Sequence, residues 1–377
     1  MKPGWGRTIG GGMITAAMCV LGVASASGQA APQQKTKMSE EAFKNVQILK
    51  GISVNEFMDT MGFMAASLSF NCSDCHDVQK FEADNPRKNM ARKMLLMVNV
   101  INKDNFGGAR MVTCYSCHND APRPKVTPSL AQQYATVLDD PNEIDVPAQS
   151  QGGPSADQIL DKYIAALGGA QQLARLTSFA AKGTYEGYDT TQLKRPIDLY
   201  AKVPNQRTMI VHNTLGDIVW ATDGRAGWIA SPANILPLMT LTGGDLDGAK
   251  LDATLFFPGK IKQAFSQWRA GSASIDDKDV AVVQGTNPGK TPVKLYFDTT
   301  SGLLVRQVHY TETKIGLVVA QVDYSDYRQV SGVQVPFKLI FTWTDGQSTI
   351  ELSDVQPNAS IDASMFAEPT PAPAAKR

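Results

Sequence analysis

The chain changes its hydrophobic rhythm part-way along. Ser53-Val54-Asn55-Glu56 reads as a capping box, and behind it Phe57, Met61, Met64 and Leu68 recur at i, i+4, i+7 and i+11. That spacing predicts a helix with one apolar face. Asn85-Pro86 predicts a second helix, with Asn as N-cap and Pro in the first turn, carrying Met90, Met94, Met97 and Ile101 on one side. A third is expected over Ser155–Leu167, where Ile159, Leu160, Tyr163, Ile164 and Leu167 form the apolar face and Gly168-Gly169 ends it. Beyond this point the period falls to two. Strands are predicted at Ile197–Val203, Thr208–His212, Ile218–Thr222, Val280–Gln284, Val293–Asp298, Leu303–Tyr310, Gly316–Tyr324, Phe337–Thr344 and Ser348–Val355. Turns at Thr299–Gly302 and Asp345-Gly346 join neighbouring runs into hairpins. One further helix is expected near Asp252–Trp268.

Helices first and a long antiparallel meander afterwards predict an α+β chain of two domains: a small all-α domain, then a strongly curved antiparallel β-sheet with helices. Between them lie Pro122, Pro124, Pro128, Pro141, Pro147 and Gly152-Gly153-Pro154, read as a linker with one short helix around Ser129–Leu138. The expected boundaries are 27–120 for the helical domain, 121–154 for the linker, 155–369 for the β domain and 370–377 for a disordered tail.

Composition and charge narrow the function. At 43% hydrophobic the chain can build a core, which excludes global disorder. Lys+Arg and Asp+Glu stand at 36 each, so binding of nucleic acid through bulk charge is excluded too. Lys2 and Arg7, the apolar run Met13–Val23 and Ala24-Ser25-Ala26 read as a secretory signal peptide over residues 1–26. Cys19 lies inside the apolar run, but Ala16 and Met18 stand where a lipoprotein signal has Leu and a small residue, so lipid anchoring is not expected. An exported, periplasmic protein, peripheral to the membrane, is expected.

Four cysteines remain after the leader: Cys72, Cys75, Cys114 and Cys117. In an exported protein they could form two disulfides. They fall instead as Cys72-Ser73-Asp74-Cys75-His76 and Cys114-Tyr115-Ser116-Cys117-His118, and C-x-x-C-H is the attachment spacing of c-type haem. Two thiols one turn apart can form thioethers to both vinyl groups of one porphyrin, and the adjacent histidine reaches the iron. A zinc site would use the same thiols but gives no reason for a histidine after each pair. A redox dithiol needs one pair and a βαβ context that is missing. Two covalently bound haem c groups are expected, with His76 and His118 as proximal iron ligands.

The chain has only four histidines, and the other two, His212 and His309, lie in the β-rich half. Bis-histidine ligation is therefore not expected. The helical segment is rich in methionine, whose thioether can be the sixth ligand and raises the potential. Equally, a methionine stripe fills irregular core space, and one per helix suffices for iron.

The stretches Met61–His76, Ala91–Asn102 and Val112–His118 resemble the photosynthetic reaction-centre cytochrome c subunit family, which repeats a methionine-bearing helix, a turn and a haem-binding C-x-x-C-H. The resemblance covers roughly residues 40–125. It implies Met61 and Met94 as distal iron ligands, with Met97 as the alternative to Met94. It also implies one-electron transfer rather than enzyme activity, and redox partner proteins such as a membrane-bound electron-transfer complex or reaction centre. That family carries four haems and this chain two motifs, so at most half of its pattern is represented.

The C-terminal half resembles the LolA-like half-barrel of lipoprotein carriers in its order of helix, strands, Asp223-Gly224-Arg225-Ala226-Gly227-Trp228, inserted helix and hairpins. That implies a concave apolar face able to hold a lipid or cover a partner. No catalytic set stands out there: His212 and His309 sit in strand patterns, Asp276-Asp277-Lys278-Asp279 reads as a charged turn, and Trp220, Trp228, Trp268 and Trp343 read as core. Two other functions are kept beside electron transfer. A dihaem peroxidase would need an open iron position and acid–base groups around it. A lipid or lipoprotein carrier would make the β domain the working part.

Overall fold

Local signals set the helical elements. In a computed structural model that describes residues 36–128, 144 and 152–370, a short turn α1 (Ser39–Ala42) precedes α2 (Val54–Leu68). The Ser53 hydroxyl accepts from the Glu56 amide at 3.0 Å, as the capping signal requires. Helix α3 (Cys72–Cys75) is one turn, α4 runs Pro86–Phe106, and α5 spans Cys114–His118. Asn85 caps α4 by accepting from Lys88 N at 2.9 Å, and Gly107, at φ 61°, closes it in the left-handed region that favours glycine. After residue 152 come α6 (Ala156–Ala166) and α7 (Ala170–Leu173). The leader and the expected helix near Ser129–Leu138 lie outside the described residues.

The strands are β1 (Ser178–Gly187), β2 (Arg195–Lys202), β3 (Gln206–Val211), β4 (Ile218–Thr222), β5 (Gly227–Ala230) and β6 (Leu238–Thr240). Helix α8 (Gly243–Leu255) interrupts them, before β7 (Gln267–Ile275), β8 (Lys278–Thr286), β9 (Val293–Asp298), β10 (Leu304–Glu312), β11 (Leu317–Val330), β12 (Val333–Trp343) and β13 (Gly346–Pro357). Together they make one 13-stranded sheet in the order β6-β5-β4-β3-β2-β1-β13-β12-β11-β10-β9-β8-β7. Every neighbouring pair is antiparallel and sequential except β1–β13, where Tyr185 opposes Ile350 and the two ends of the meander meet.

The sheet is strongly curled. Strands β3 and β10 lie six spacings apart, ~29 Å on a flat sheet at ~4.8 Å per strand. Yet Arg207 of β3 and Gln307 of β10 both bond the carboxylate of Asp252 on α8. The face wrapped around α8 and α6 carries the main core, including Leu160 and Tyr163 from α6, Leu251 from α8, and Leu199, Leu295 and Ile350 from the strands. Alternate burial along β2 and β12 is the period-two pattern of strands with one covered face.

One expected element is corrected. The inserted helix is not Asp252–Trp268 but Gly243–Leu255, followed by a 3₁₀ turn over Pro258–Gln263, and Trp268 belongs to β7. Pro258-Gly259 cannot continue an α-helix, and Gly243-Gly244 is a weak start signal. Strand β1 also escaped the pattern, because Ala180, Ala181 and Gly183 have low strand preference and its pairing with β13 is remote in sequence.

The helical segment packs on the sheet through a second, smaller core. Leu49, Ile52, Phe63 and Leu95 bury themselves with Ile315 and Val318 of the β10–β11 hairpin. A Cβ at Gly316 would lie 2.6 Å from the Phe63 ring, so glycine is needed for this approach. Arg110, just before α5, donates to the Thr313 carbonyl and pairs with Glu312 at 3.2 Å. Among the described residues no helix is long and apolar enough to cross a membrane.

Candidate functional site

Both C-x-x-C-H motifs fold as a single helical turn, which is what brings thiols three positions apart onto one side. In the first, His76 N donates to Cys72 O at 2.9 Å, closing the turn. The start of α4 pins it: Asn85 Nδ2 donates to Cys75 O at 2.7 Å, and Arg87 donates to Asp74 O at 2.7 Å while lying 5.2 Å over the Phe70 ring. In the second, Thr113 caps α5 and buried Asn102 of α4 holds the approach. Its Nδ2 donates to Val112 O at 2.7 Å, and its Oδ1 accepts from Met111 N and Val112 N at 3.1 and 2.9 Å. Neither the role of Asn102 nor that of the Asn85 amide is written in the sequence pattern. Asn102 shares the end of its helix with Asn99 and Asn105, so nothing in the sequence singled it out.

The two histidines are held alike. His76 Nδ1 faces the Phe81 carbonyl at 3.1 Å, and His118 Nδ1 faces the Ala121 carbonyl at 3.0 Å. A carbonyl can only accept, so each Nδ1 carries a proton, and in a neutral ring the lone pair is left on Nε2. This is the arrangement by which a second group orients a metal-binding imidazole. Burial lowers the His76 pKa below its ordinary value and so favours the neutral ring. Burial also raises the thiols of Cys75 and Cys114.

All four thiols are unpaired. Among the described residues no three His, Cys, Asp or Glu side chains converge on a metal-sized site. The donor set fits a porphyrin, because the macrocycle brings its own four nitrogens and asks the chain only for thiols and axial ligands. Apolar surface is also at hand: Met90, Leu96, Met97 and Val100 on α4 are exposed, as are Val78 and Met111, the last at 65%.

The candidate methionines differ in setting. Met61 is half-buried and, with Met64 and Cys114, packs on the cluster around Phe63 and Leu95. Met94 is half-buried and Met97 is 43% exposed. Helix α3 lies against α4, and α5 lies against both α2 and α4, so the two motifs and the two methionine helices form one cluster. His212 and His309 stand apart from it. His212 is engaged by Asp198 at 3.0 Å and Asp217 at 3.1 Å, and His309 packs against Gly248 of α8.

The helical segment thus presents two C-x-x-C-H turns whose histidines are each tied to a main-chain carbonyl, and the likeness to known proteins falls on the same part of the chain. Residues 14–150 match the family model described as photosynthetic reaction centre cytochrome C subunit. The photosynthetic reaction center cytochrome c subunit of Thermochromatium tepidum is 35% identical over 106 residues, which are 27% of this chain and 24% of that protein. The chain thus spans about a quarter of the length of this curated relative. The resemblance read from the motifs holds for the N-terminal part. Among solved structures, the chain is similar to a LolA superfamily protein from Nitrosomonas europaea, at 15% identity and a TM-score of 0.38, covering 57% of this chain and 98% of that one. It is also similar to a DUF1329 family protein from Desulfovibrio piger, at 12% identity and a TM-score of 0.39, covering 56% and 96%.

Proposed function

We propose that this chain is an exported dihaem c-type cytochrome that transfers single electrons. The observation that carries the reading is the repeated arrangement of a C-x-x-C-H turn whose histidine Nδ1 is tied to a main-chain carbonyl, leaving Nε2 free. In this proposal Cys72 and Cys75 hold one haem and Cys114 and Cys117 the other. His76 and His118 are the proximal ligands, Met61 and Met94 the distal ones, with Met97 as the alternative to Met94. Each bound haem would supply an iron that cycles between Fe(III) and Fe(II).

The chain's own contribution would be to hold the histidine and methionine side chains in place, so that little rearranges when an electron arrives. Asn85, Arg87 and Asn102 hold the motif backbones, and the Phe81 and Ala121 carbonyls fix the imidazoles. Neutral thioether ligation and burial against the small core favour a raised potential. The match to a reaction-centre cytochrome subunit supports a membrane-bound electron-transfer complex as partner, and the leader pattern supports a periplasmic location, peripheral to the membrane.

Stoichiometry tests the reading. Pyridine haemochrome analysis and intact mass of the mature protein are expected to report two covalent haems, and Cys72→Ser with Cys75→Ser one. A double variant that still carries two would overturn the assignment.

A further inference from the structure

Helix α2 has two faces of opposite use. Phe57, Met61, Met64 and Leu68 form one stripe. Asn55, Asp59 and Gly62 repeat the same spacing two residues earlier, ~200° around the helix at ~100° per residue. This second face meets the sheet domain. Asn55 is only 2% exposed, and its side chain is fully engaged. Nδ2 donates to Asp245 Oδ2 at 2.6 Å and to Asp59 Oδ2 at 3.2 Å, and Oδ1 accepts from Thr242 N at 2.7 Å. Thr311 of β10 donates to the other oxygen of Asp245 at 2.7 Å, and Ser53, the cap of α2, bonds the Thr242 hydroxyl at 2.8 Å. Gly62 lies over Asp345 in the β12–β13 turn, with no room wasted: a Cβ there would already be in contact at 3.6 Å.

The other end of the clamp is rigid. Asp245 and Thr242 belong to the start of α8, which is fixed inside the curl by Asp252 bonding both Arg207 and Gln307. Gly248 sits directly on the His309 ring, closer than any side chain would allow.

We infer that Asn55 and Asp245 are positioning residues for Met61: the start of α8 holds the rotation and height of α2, and so places the Met61 thioether for the iron of one haem. This rests on the proposed ligation by Met61. A neutral thioether is a weak ligand whose hold depends on where its helix stands, and supporting hydrogen bonds behind a ligand set that position. A helix that slips by one residue moves ~1.5 Å along its axis and ~100° around it, which is enough to lose the contact. Sixth-ligand binding at one haem would then be governed by Asp245, which lies 190 positions from Asn55 in the chain.

The test uses the full-length holoprotein. Asn55→Ala is expected to halve the methionine-to-iron charge-transfer absorption and to raise imidazole affinity at one haem at least tenfold, leaving the other unchanged. Asn55→Asp combined with Asp59→Asn and Asp245→Asn reverses donor and acceptor in both of these bonds and is expected to restore the absorption. Thr311→Val removes a single bond with little change of shape, and is expected to act in the same direction more weakly; it also serves if Asn55→Ala does not fold. If Asn55→Ala lowers the melting temperature while both haems keep their absorption and imidazole affinity, the inference is overturned. Met61→Ala separates the failures: if it changes neither haem, the ligand assignment itself falls, and if it converts one haem while all the position 55, 245 and 311 variants are silent, only the positioning role falls.

Discussion

At the scale of single residues, three histidines show how the same side chain is put to different use. His76 and His118 give one nitrogen to a carbonyl and keep the other, whereas His212 spends both nitrogens on carboxylates. Its hydrogen bond to Asp198, followed by that to Asp217, raises the His212 pKa above its ordinary value. A raised histidine pKa means that the folded state binds the proton more tightly than the unfolded chain. The stabilisation is therefore complete below the unfolded value of ~6.5 and is lost as pH rises through the folded pKa. Urea titrations across that window are expected to show a fall in stability with pH that His212→Gln flattens, with the haem spectrum unaffected.

The methionines make a second prediction at this scale. Met61→Ala and Met94→Ala are each expected to turn one haem high-spin or water-ligated and to lower its potential, as read by optical and EPR-monitored redox titration. If Met97→Ala has the effect expected of Met94→Ala, the second ligand is Met97. If no methionine variant alters either spectrum, thioether ligation is refuted.

Among the elements, α4 does the most linking work. Its cap residue Asn85 serves the helix through Oδ1 and the first motif through Nδ2, and its buried Asn102 holds the approach to the second motif. Removing the Asn85 side chain takes away a cap contribution of about 1 kcal/mol and also frees the Cys75 carbonyl. Asn85→Ala is expected to lower unfolding stability by roughly that amount in denaturant titration and to perturb the haem at Cys72–Cys75 alone. The start of α4 was legible because Asn-Pro is a local signal. Its ties to the motifs were not, since an asparagine shows no partner in the sequence. The same division holds in the sheet: Ile218–Thr222 and Val293–Asp298 were read to the residue, because each is a short alternating run between turns. Strand β1 and the true span of α8 depend on what they pack against.

On the scale of the whole molecule, the helical segment and the sheet share Phe63, Leu95, Ile315 and Val318 as one cluster. Separating them exposes these side chains, at roughly 1.5–3 kcal/mol for each large apolar group returned to water. Residues 27–125 expressed with the haem attachment machinery are expected to carry both haems by mass, because attachment uses the local C-x-x-C-H turns. They are expected to melt well below the full chain and to lose methionine absorption from one haem. An isolated segment with the full chain's melting temperature and spectrum would show that the shared cluster contributes nothing.

The sequence alone determined the two C-x-x-C-H motifs, the methionine helices with their caps and most of the strands. These are written in neighbouring residues: a fixed thiol spacing, a 3.6-residue or two-residue period, or a capping side chain three positions from its amide. The tertiary structure decided which faces of those elements meet. It brought Arg207 and Gln307 to one carboxylate by curling the sheet, and set Asn55 against Asp245 and Phe63 against Gly316. Such pairings join residues far apart in the chain, where no local period or spacing records them, and they exist only once burial has chosen one packing among many.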